Sequence, residues 1–499
     1  MNYFIEQYQP VDLKFKVGND DVAAFYEEVH TVFNGPGGKS LFLPGFYNGN
    51  GYWLIRFSPI TVGIWNYEIS SNNTELDGIK GTVECIEKTN DSIHGGLLVN
   101  REYPHHFIFE DGTPHFMLAY EADWLWALGF GDNEVTKIKE FVSSFKKFGF
   151  NEVITNIYAH DTLWRKGKTC KSDYGPPAAF LWEGDNDHPY YDRMNIAFFE
   201  NYDRMMYYLL EQGIMVHILI KVFNKEVNWP KEFSIQDDLF FKYVVARYQA
   251  FPNVIWDLGK EARVNTNMSY KLNRIKLIKA CDGYGRLLTV HDDPLFYSLE
   301  DSAKLADFYT AQQHVEFYTK AIIQRQKENW PVFNSEYSYE HGPSGIKDAS
   351  YPVCQTPEEV IHRTYEVVMA GAYPAYYYTY TAWDIIDYSY QPQGYLYIKL
   401  LHNFFTSVPW WKYEPHDEYV NGEVRCLAVP GKEYIIYTGK VKTICIKISK
   451  PESMEGYWIN TLTGEKVVHK EPIVIDAPSN ALKVKSPFGD APAIFHLKV

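Results

Sequence analysis

The sequence of 499 residues is poor in cysteine, and the few cysteines it has do not form a recognisable pattern. None of them is part of a CxxC pair or has another metal-ligand spacing; they lie at positions 85, 170, 281, 354, 426 and 445. Neither a disulfide framework nor a zinc site is therefore indicated. We expect free thiols in a reducing compartment.

Long apolar runs and clusters of positive charge are also missing. No segment has 18 consecutive apolar residues, and the first ten residues lack a basic region followed by an apolar run. The net charge is −15, and nowhere do five or six Lys and Arg residues cluster. We expect no membrane span and no nucleic-acid partner. A cytoplasmic protein is expected, although a secreted protein whose leader has been removed would have the same features.

Aromatic residues, by contrast, are abundant at 17% of the chain, with 40 Tyr and 13 Trp. Most of them are expected in the cores of β-rich domains, and a minority could stack on sugar rings. Residues 1–98 have short alternating runs such as Tyr52 to Phe57, separated by Gly, Pro and Asn clusters. This pattern predicts an N-terminal, Ig-like antiparallel β-sandwich.

From residue 99 to residue 412, strands alternate with helical stretches, which is typical of βα units. Eight predicted strands close most naturally into a (β/α)8 TIM barrel. They are His115 to Tyr120, Glu152 to Ile157, Ile214 to Val222, Val254 to Leu258, Leu287 to Val290, Asp307 to Gln312, Val332 to Asn334, and Ala375 to Tyr380. The long loop from Leu163 to Tyr191 could wall a site or contact a second subunit, so a homo-oligomer stays open. Alternation of period two returns over residues 413–499 and predicts a C-terminal β-sandwich.

Two of the predicted barrel strands end on a glutamate. The run Asn253 to Glu261 is apolar and then polar before its terminal Glu261, and the run Pro331 to Glu336 repeats that arrangement. Catalytic residues of such barrels lie where strands end at the carboxyl face. Two facing carboxylates are what retaining glycoside hydrolysis requires, one as nucleophile and one to protonate the leaving oxygen. We assign Glu261 as acid/base and Glu336 as nucleophile; a surface ion pair is the plain alternative for either residue.

Other polar and aromatic residues follow the predicted strands and are candidates for binding sugar. They are Asp123, Trp124, Asn156, His160, His291, His314, Tyr337, Tyr380 and Trp383. Trp383 could support a sugar ring with its flat face, whereas His217 in mid-strand is expected in the core and Lys221 at a solvated or ion-paired loop edge. No cofactor or metal is expected. The motifs GxSxG, HExxH, GxGxxG and GxxxxGK[ST] do not occur, and the adjacent pair His105 and His106 lacks the His-x-His spacing of a metal-dependent barrel hydrolase.

Several stretches, in this order along the chain, resemble clan A glycoside hydrolases, and more closely glycosidases with an apiosidase-like barrel between two β-domains. They are Arg56 to Trp65, Phe109 to Phe116, Phe198 to Arg204, Asn253 to Glu261, Ser335 to Tyr337, and Tyr457 to Gly464. The resemblance covers nearly the whole chain. It implies an acid/base after barrel strand four and a nucleophile after strand seven, and so supports Glu261 and Glu336.

The sequence departs from that family pattern next to Glu261. Clan A enzymes usually have Asn before the acid/base, but this chain has Lys260, whose charge would favour an ionised Glu261 unless it points away from the mouth. The apiosidase-like group often has Asp as the acid, so Asp257 competes with Glu261. Asp257 would lie about four residues deeper, roughly 13 Å along the strand, and Glu261 is preferred.

The resulting hypothesis is a glycosidase that removes a terminal sugar from a small oligosaccharide or glycoside by double displacement. A non-catalytic sugar-binding or scaffold protein on a degenerate barrel and a metal-dependent barrel hydrolase stay open as alternatives. The sugar, its anomeric configuration, the linkage, exo against endo action and the oligomeric state depend on loop paths that the sequence does not give.

Overall fold

The computed structural model describes residues 2–499 except residues 19–21, 163–171, 173, 292, 344, 346–352, 448–454, 471–473 and 477–480. The first part of the long loop predicted from Leu163 to Tyr191 therefore lies outside the described residues. Cys85, Cys281, Cys354, Cys426 and Cys445 carry thiols, and the remaining cysteine, at position 170, lies outside the described residues. No helix in the described ranges is long and apolar enough to cross a membrane.

The centre of the molecule is a nearly closed barrel of eight parallel strands, as the alternation of strands and helices predicted. In spatial order the barrel strands are five, four, three, two, one, eight, seven and six. Their bounds are Ala119–Glu121, Glu152–Asn156, Met215–Val222, Val254–Lys260, Leu288–Thr289, Tyr309–Gln312, Val332–Glu336 and Tyr373–Tyr376. Every residue of strands three and four is buried, because barrel contents cover one face and helices the other.

Strands five and six are joined by a few hydrogen bonds, two of which use a side chain. The backbone amide of Asp307 donates to the carbonyl of Leu288 at 2.8 Å, and the Asp307 carboxylate accepts from the Leu288 amide at 2.9 Å. The hydroxyl of Thr289 donates to the carbonyl of Phe308 at 2.9 Å. These bonds take the place of a regular ladder between two short strands.

Five of the described helices begin at a polar side chain that caps them. Asn195, Ser234, Asn267, Asp293 and Thr356 each accept a hydrogen bond from the backbone amide three residues further on. Such N-caps satisfy amides that have no partner inside the helix. The helices span Thr136–Lys146, Ile196–Glu211, Ile235–Tyr248, Met268–Cys281, Pro294–Ser298, Glu300–Ala303, Phe317–Glu328, Pro357–Met369 and Gly394–Thr406.

The barrel strands differ from the predicted ones mainly at their ends. Strand one was expected from His115, but Pro114–His115 pairs with Phe107–Phe109 in a small sheet that also contains Leu97–Val99. Its hydrogen bonds are therefore used outside the barrel, and strand one starts at Ala119. Strand eight was expected to reach Tyr380, but the chain turns at Tyr378, whose carbonyl accepts from the amides of residues 381 and 382.

The N-terminal region has two sheets packed around an apolar core, as predicted. One sheet contains Asn2–Glu6, Lys80–Ile86, Gly63–Ser71, Val29–Asn34 and Ser40–Pro44, and the other Val11–Lys16, Tyr52–Phe57 and Phe46–Tyr47. One pairing is not antiparallel: Asn2–Glu6 runs parallel to Lys80–Ile86. The first strand passes directly into the second sheet at Val11, so it joins the free edge of Lys80–Ile86 instead of forming a hairpin.

The C-terminal region is also built of two sheets. The larger has Glu414–Pro415, Arg425–Val429, Glu433–Tyr437, Ala493–Lys498, Glu455–Asn460 and Lys466–Val468, and the smaller has Thr443–Ile446, Ala481–Lys485 and Val474–Asp476. Their core includes Trp458 and Phe495, whose ring centroids lie 4.6 Å apart. The domain boundaries at residues 98 and 412 stay predictions.

A buried cluster of charges fastens the N-terminal sandwich to the barrel. Arg56 is almost fully buried and donates to Asp12 at 2.7 Å and to Asp203 of a barrel helix at 2.9 Å. Arg247, on the next barrel helix, also donates to Asp203, at 2.8 Å. Burial works against the charge of Asp203, but the two arginines lower its pKa to about 2, so it stays ionised.

Replacing Asp203 should therefore destabilise the protein strongly. Asp203→Ala leaves two guanidinium groups buried without their shared partner, which should lower the free energy of unfolding by about 3–5 kcal/mol. The exposed ion pair between Lys80 and Glu68, 3.1 Å apart, provides a control, since Glu68→Ala should cost less than about 1 kcal/mol. Urea denaturation followed by tryptophan fluorescence measures both, and equal losses would contradict the role given to Asp203.

Candidate active site

The two glutamates predicted from the sequence lie at the carboxyl end of the barrel. Glu336 is the last residue of strand seven, and Glu261 directly follows strand four in a left-handed conformation, with φ 58° and ψ 42°. Both line one pocket of about 510 Å³. The other lining residues are Asp161, Asn224, Lys225, Glu226, Lys260, Arg263, Gln312, His314, Tyr339 and Trp383.

Glu336 is held in place by two tyrosine hydroxyls. Tyr339 donates a hydrogen bond to one carboxylate oxygen, and Tyr377, which follows strand eight, donates to the other at 3.3 Å. The carboxylate is 5% exposed. Burial raises the pKa of Glu336 to about 7, and Lys260 opposes that rise. At neutral pH this side chain is therefore poised between its neutral and ionised forms.

Glu261 has a different environment. Its carboxylate forms an ion pair with the guanidinium of Arg263 at 2.7 Å. The side chain of Arg263 is half exposed and also donates to Gln312 at 3.3 Å. The two glutamates thus share a pocket, but only Glu261 has an arginine partner within ion-pair distance among the described residues.

Lys260 points into the barrel mouth, which strict alternation along strand four does not predict. Asp257 faces the barrel interior, so alternation would turn Lys260 outward. Gly259 breaks the alternation with a φ of 156°, and a β-carbon there would come within 2.4 Å of the carbonyl oxygen of Lys221. Only glycine fits this close approach of strands three and four. Lys260 consequently enters the pocket beside Glu261.

The ammonium of Lys260 is bound by two acidic residues at the end of strand one. It donates to Glu121 at 3.0 Å and to Asp123 at 2.6 Å, and all three side chains are nearly fully buried. Burial opposes the charge of Lys260, but Asp123, Glu121 and Glu336 raise its pKa well above the usual value. Burial and the nearby Asp123 raise the pKa of Glu121 well above its usual range.

Asp257, the competing candidate, lies deeper in the barrel and does not line the pocket. It accepts from His217 at 3.0 Å, from the amide of Gly259 at 2.8 Å and from the amide of His291 at 3.0 Å. His217 also lies 3.4 Å from Glu152. Burial opposes its charge, but hydrogen bonds with Asp257 and Glu152 raise the pKa of His217 to about 9. Glu152, His217 and Asp257 are all fully buried, and none of them lines the pocket. His217 therefore has the core role expected for it.

The structure brings two predicted sugar-binding residues, His314 and Trp383, to the pocket with the glutamates. His314 stacks on Tyr339 at 5.4 Å, and Trp383 packs beside the same tyrosine at 5.6 Å. Asp123 reaches the site through Lys260. Tyr339 is therefore the centre of the aromatic wall next to Glu336.

The remaining predicted residues do not line this pocket. Trp124 is buried against Trp126, Asn156 accepts from the Trp126 indole at 3.0 Å, and the Tyr337 hydroxyl pairs with Thr364 at 2.8 Å. His160 stacks on Phe180, Tyr380 stacks on Tyr378, and His291 is fully buried beside Ser335. Lys221 is not at a solvated loop edge: it is buried and donates to Tyr270 at 2.7 Å, with Asp237 at 3.3 Å.

Glu121, Tyr339 and Tyr377 are not among the residues predicted from the sequence, which also left the orientation of Lys260 open. Tyr339 lies three residues after the terminal Glu of strand seven, and Tyr377 belongs to the aromatic run from Tyr373 to Tyr380. Glu121 was hidden because strand one was placed too early. Within the described residues, no three His, Cys, Asp or Glu side chains form a group that could hold a metal ion.

Comparison with known families agrees with this architecture. The family described as "Apiosidase-like, catalytic domain" matches residues 102–413, more than half of the chain. The chain belongs to the apiosidase-like family. A second family, described as a domain of unknown function (DUF5060), matches residues 4–72. No curated protein sequence matches significantly.

Solved structures extend the likeness of this apiosidase-like protein to all three regions. An inferred glycoside hydrolase from Bacteroides vulgatus ATCC 8482 superposes with a TM-score of 0.80 at 19% identity, covering 99% of both chains. A glycoside hydrolase family 5 protein from the same organism has a TM-score of 0.61 at 16% identity, covering 81% of this chain and 94% of its own. A third structure, described as a glycoside hydrolase, has a TM-score of 0.62 at 17% identity and covers 81% and 97%. At these identities the likeness shows a shared fold.

The environment of Glu336 leads to a prediction that needs no substrate. Isotope-edited infrared spectra of the wild type minus those of Glu336→Gln should contain a carboxyl band that disappears with a midpoint near pH 7, because burial raises this pKa from 4.5 to about 7. The band should dominate at pH 6 and be nearly absent at pH 8. A midpoint below about 5, the range of an unperturbed glutamate, would contradict the burial argument.

Proposed function

We propose that this apiosidase-like protein is a retaining glycoside hydrolase that removes a terminal sugar from a small oligosaccharide or glycoside. Glu336 acts as the nucleophile and Glu261 as the acid/base. The observation that carries the proposal is that carboxylates at the ends of strands four and seven line one pocket of about 510 Å³. That size lies within the range of pockets for small molecules.

The reaction has two steps. The Glu336 carboxylate attacks the anomeric carbon while the Glu261 carboxyl group gives its proton to the departing glycosidic oxygen, which leaves a glycosyl ester and an ionised Glu261. Glu261 then takes a proton from water, and the water oxygen attacks the anomeric carbon. The ester bond breaks, the sugar leaves, and both carboxyl groups return to their starting states.

The first step needs an ionised Glu336 and a protonated Glu261, and neighbouring side chains affect both residues. Glu336 must be ionised to attack, and the hydroxyls of Tyr339 and Tyr377 stabilise its negative charge. Glu261 must carry a proton, so its ion pair with Arg263 has to open when a leaving group enters. The exposure of Arg263 supports such a movement.

A sugar-binding protein without turnover is the second candidate. The observation in its favour is the same ion pair between Glu261 and Arg263, 2.7 Å apart, because it occupies a carboxylate oxygen that would otherwise have to protonate the leaving group. A panel of aryl glycosides separates the two functions. Release of aglycone supports the hydrolase, whereas saturable oligosaccharide binding without release supports the binder.

Removal of the nucleophile should abolish turnover. With an aryl glycoside that the wild type cleaves, Glu336→Gln should lower kcat by at least about 10³-fold, since no covalent route remains. Asp384→Asn, a change at another buried carboxylate outside the pocket lining, is the matched control for folding and should retain far more activity. A Glu336→Gln variant with near-normal kcat would overturn the assignment.

The acid/base role can be tested by chemical rescue. With an activated aryl glycoside, Glu261→Ala should still form the glycosyl ester, and added azide should then restore turnover by attacking it without need of a base. Asp257→Asn is the comparison, because Asp257 is bound in the layer below the pocket. If azide rescues the Asp257 variant and not the Glu261 variant, the role moves to Asp257.

Trp383 is expected to support the sugar ring. Trp383→Ala removes a flat apolar wall of the pocket and should raise KM by roughly tenfold, in line with about 1–2 kcal/mol for loss of an aromatic contact. Trp383→Phe keeps a flat face and should stay closer to the wild type. Steady-state kinetics with the same glycoside measure both variants. Equal KM values for Trp383→Ala and the wild type would contradict a role for Trp383 in binding the sugar.

A further inference from the structure

Lys260 occupies an unusual position for a buried cation. It lies in the wall of the pocket, yet its ammonium is fixed from behind by Glu121 at 3.0 Å and Asp123 at 2.6 Å. An ammonium has three donors, and these two bonds determine where it sits. Its charge is therefore fixed in the wall of the pocket that Glu336 also lines, 5.9 Å from the ring centre of Tyr377, whose hydroxyl donates to Glu336 at 3.3 Å.

Titratable groups from several strands surround Glu336, and Asp161, Lys225 and Glu226 from the loops after strands two and three line the same pocket. Strand one and the residues after it provide Glu121 and Asp123, strand four provides Lys260 with Glu261, and Tyr377 follows strand eight. Beyond strands five, six and seven lie His291, His314 and Tyr339, with Arg263 next to Glu261. Burial and the positive charge of Lys260 lower the pKa of His291 well below its usual value, so it is neutral.

Lys260 is the cation that counters the cost of burying Glu336. Burial raises the pKa of Glu336 most, and Glu261 and Asp123 raise it further, whereas Lys260 lowers it. A carboxylate in a dry pocket with two other acids nearby would stay protonated without such a partner. The ammonium of Lys260 and the carboxylate of Glu336 line the same pocket and both contact Tyr377, so the charge of Lys260 acts on Glu336 as well as on Asp123.

We propose that Lys260 is a positioning residue whose ammonium, anchored by Glu121 and Asp123, keeps Glu336 ionised and ready to attack. This inference rests on the function proposed above for Glu336. Glu121 and Asp123 then have a role as well. They hold the ammonium of Lys260 in place and weaken its electrostatic effect on Glu336.

Two substitutions should shift the ionisation of Glu336 in opposite directions. Lys260→Met removes the cation and should raise the pH at which Glu336 ionises by roughly 1–3 pH units. Asp123→Asn removes an anion, leaves Lys260 bound to Glu121, and should lower that pH. The infrared band of Glu336, each variant minus the same variant with Glu336→Gln, measures both shifts without turnover.

Activity should follow the same order. The acidic side of the profile of kcat/KM against pH should move upward in Lys260→Met, so that its rate at pH 6 falls at least about tenfold relative to the wild type and recovers at high pH. Lys260→Arg keeps the charge and should stay closer to the wild-type profile than Lys260→Met does. A purely structural role would lower the rate at every pH without moving the profile.

Lys221→Met provides the matched control. Lys221 is a buried lysine of strand three that pairs with Asp237 and does not line the pocket. Its replacement should leave the ionisation of Glu336 where it is in the wild type. The inference is overturned if the midpoint pH of the Glu336 infrared band is unchanged in Lys260→Met or shifts upward in Asp123→Asn. If Lys260→Met does not fold, the result for Asp123→Asn decides.

The outcomes also separate this inference from the proposed function. An active Glu336→Gln variant contradicts the proposed function. An inactive Glu336→Gln variant combined with unmoved infrared midpoints contradicts only the role of Lys260.

Discussion

Burial of charge at the mouth of the barrel is the constraint around which this structure is arranged. Glu121, Asp123 and Glu336 are withdrawn from water, and one ammonium, that of Lys260, lies among them. Each carboxylate would stay neutral in such surroundings without a positive partner. The cation therefore allows acidic side chains of the cluster to be ionised. The pKa of about 7 for Glu336 reflects the opposing effects of burial, which raises it, and Lys260, which lowers it.

The barrel makes this cluster because parallel strands end at one rim. Residues far apart in sequence meet there: Glu121 comes from strand one, Lys260 from strand four and Glu336 from strand seven. Beneath them, the layer of Glu152, His217 and Asp257 is fully buried. The strands that carry the pocket residues are thus joined by ionic contacts as well as by backbone hydrogen bonds, which should limit their movement relative to each other.

The same principle operates where the N-terminal sandwich meets the barrel. Arg56 and Arg247 both donate to Asp203. Removing any one of these three side chains would leave a charge in the protein interior without a partner that it now has. The orientation of the sandwich on the barrel is therefore specified by a polar contact with strict geometry. The solved structure that superposes with a TM-score of 0.80 over 99% of the chain, at 19% identity, shares the fold.

Sequence alone determined the architecture, because period-two and βα patterns reflect local burial. It also predicted Glu261 and Glu336 as the catalytic pair, because each stands at the end of an apolar strand. It did not determine the direction of Lys260 or the partners of Glu336. Gly259 reverses the expected side of Lys260 through one backbone angle of 156°. Glu121 and Tyr377 approach from strands one and eight, and Tyr339 folds back onto Glu336 from the segment after strand seven. Those facts depend on how eight strand ends converge, and no pattern local to one strand contains that information.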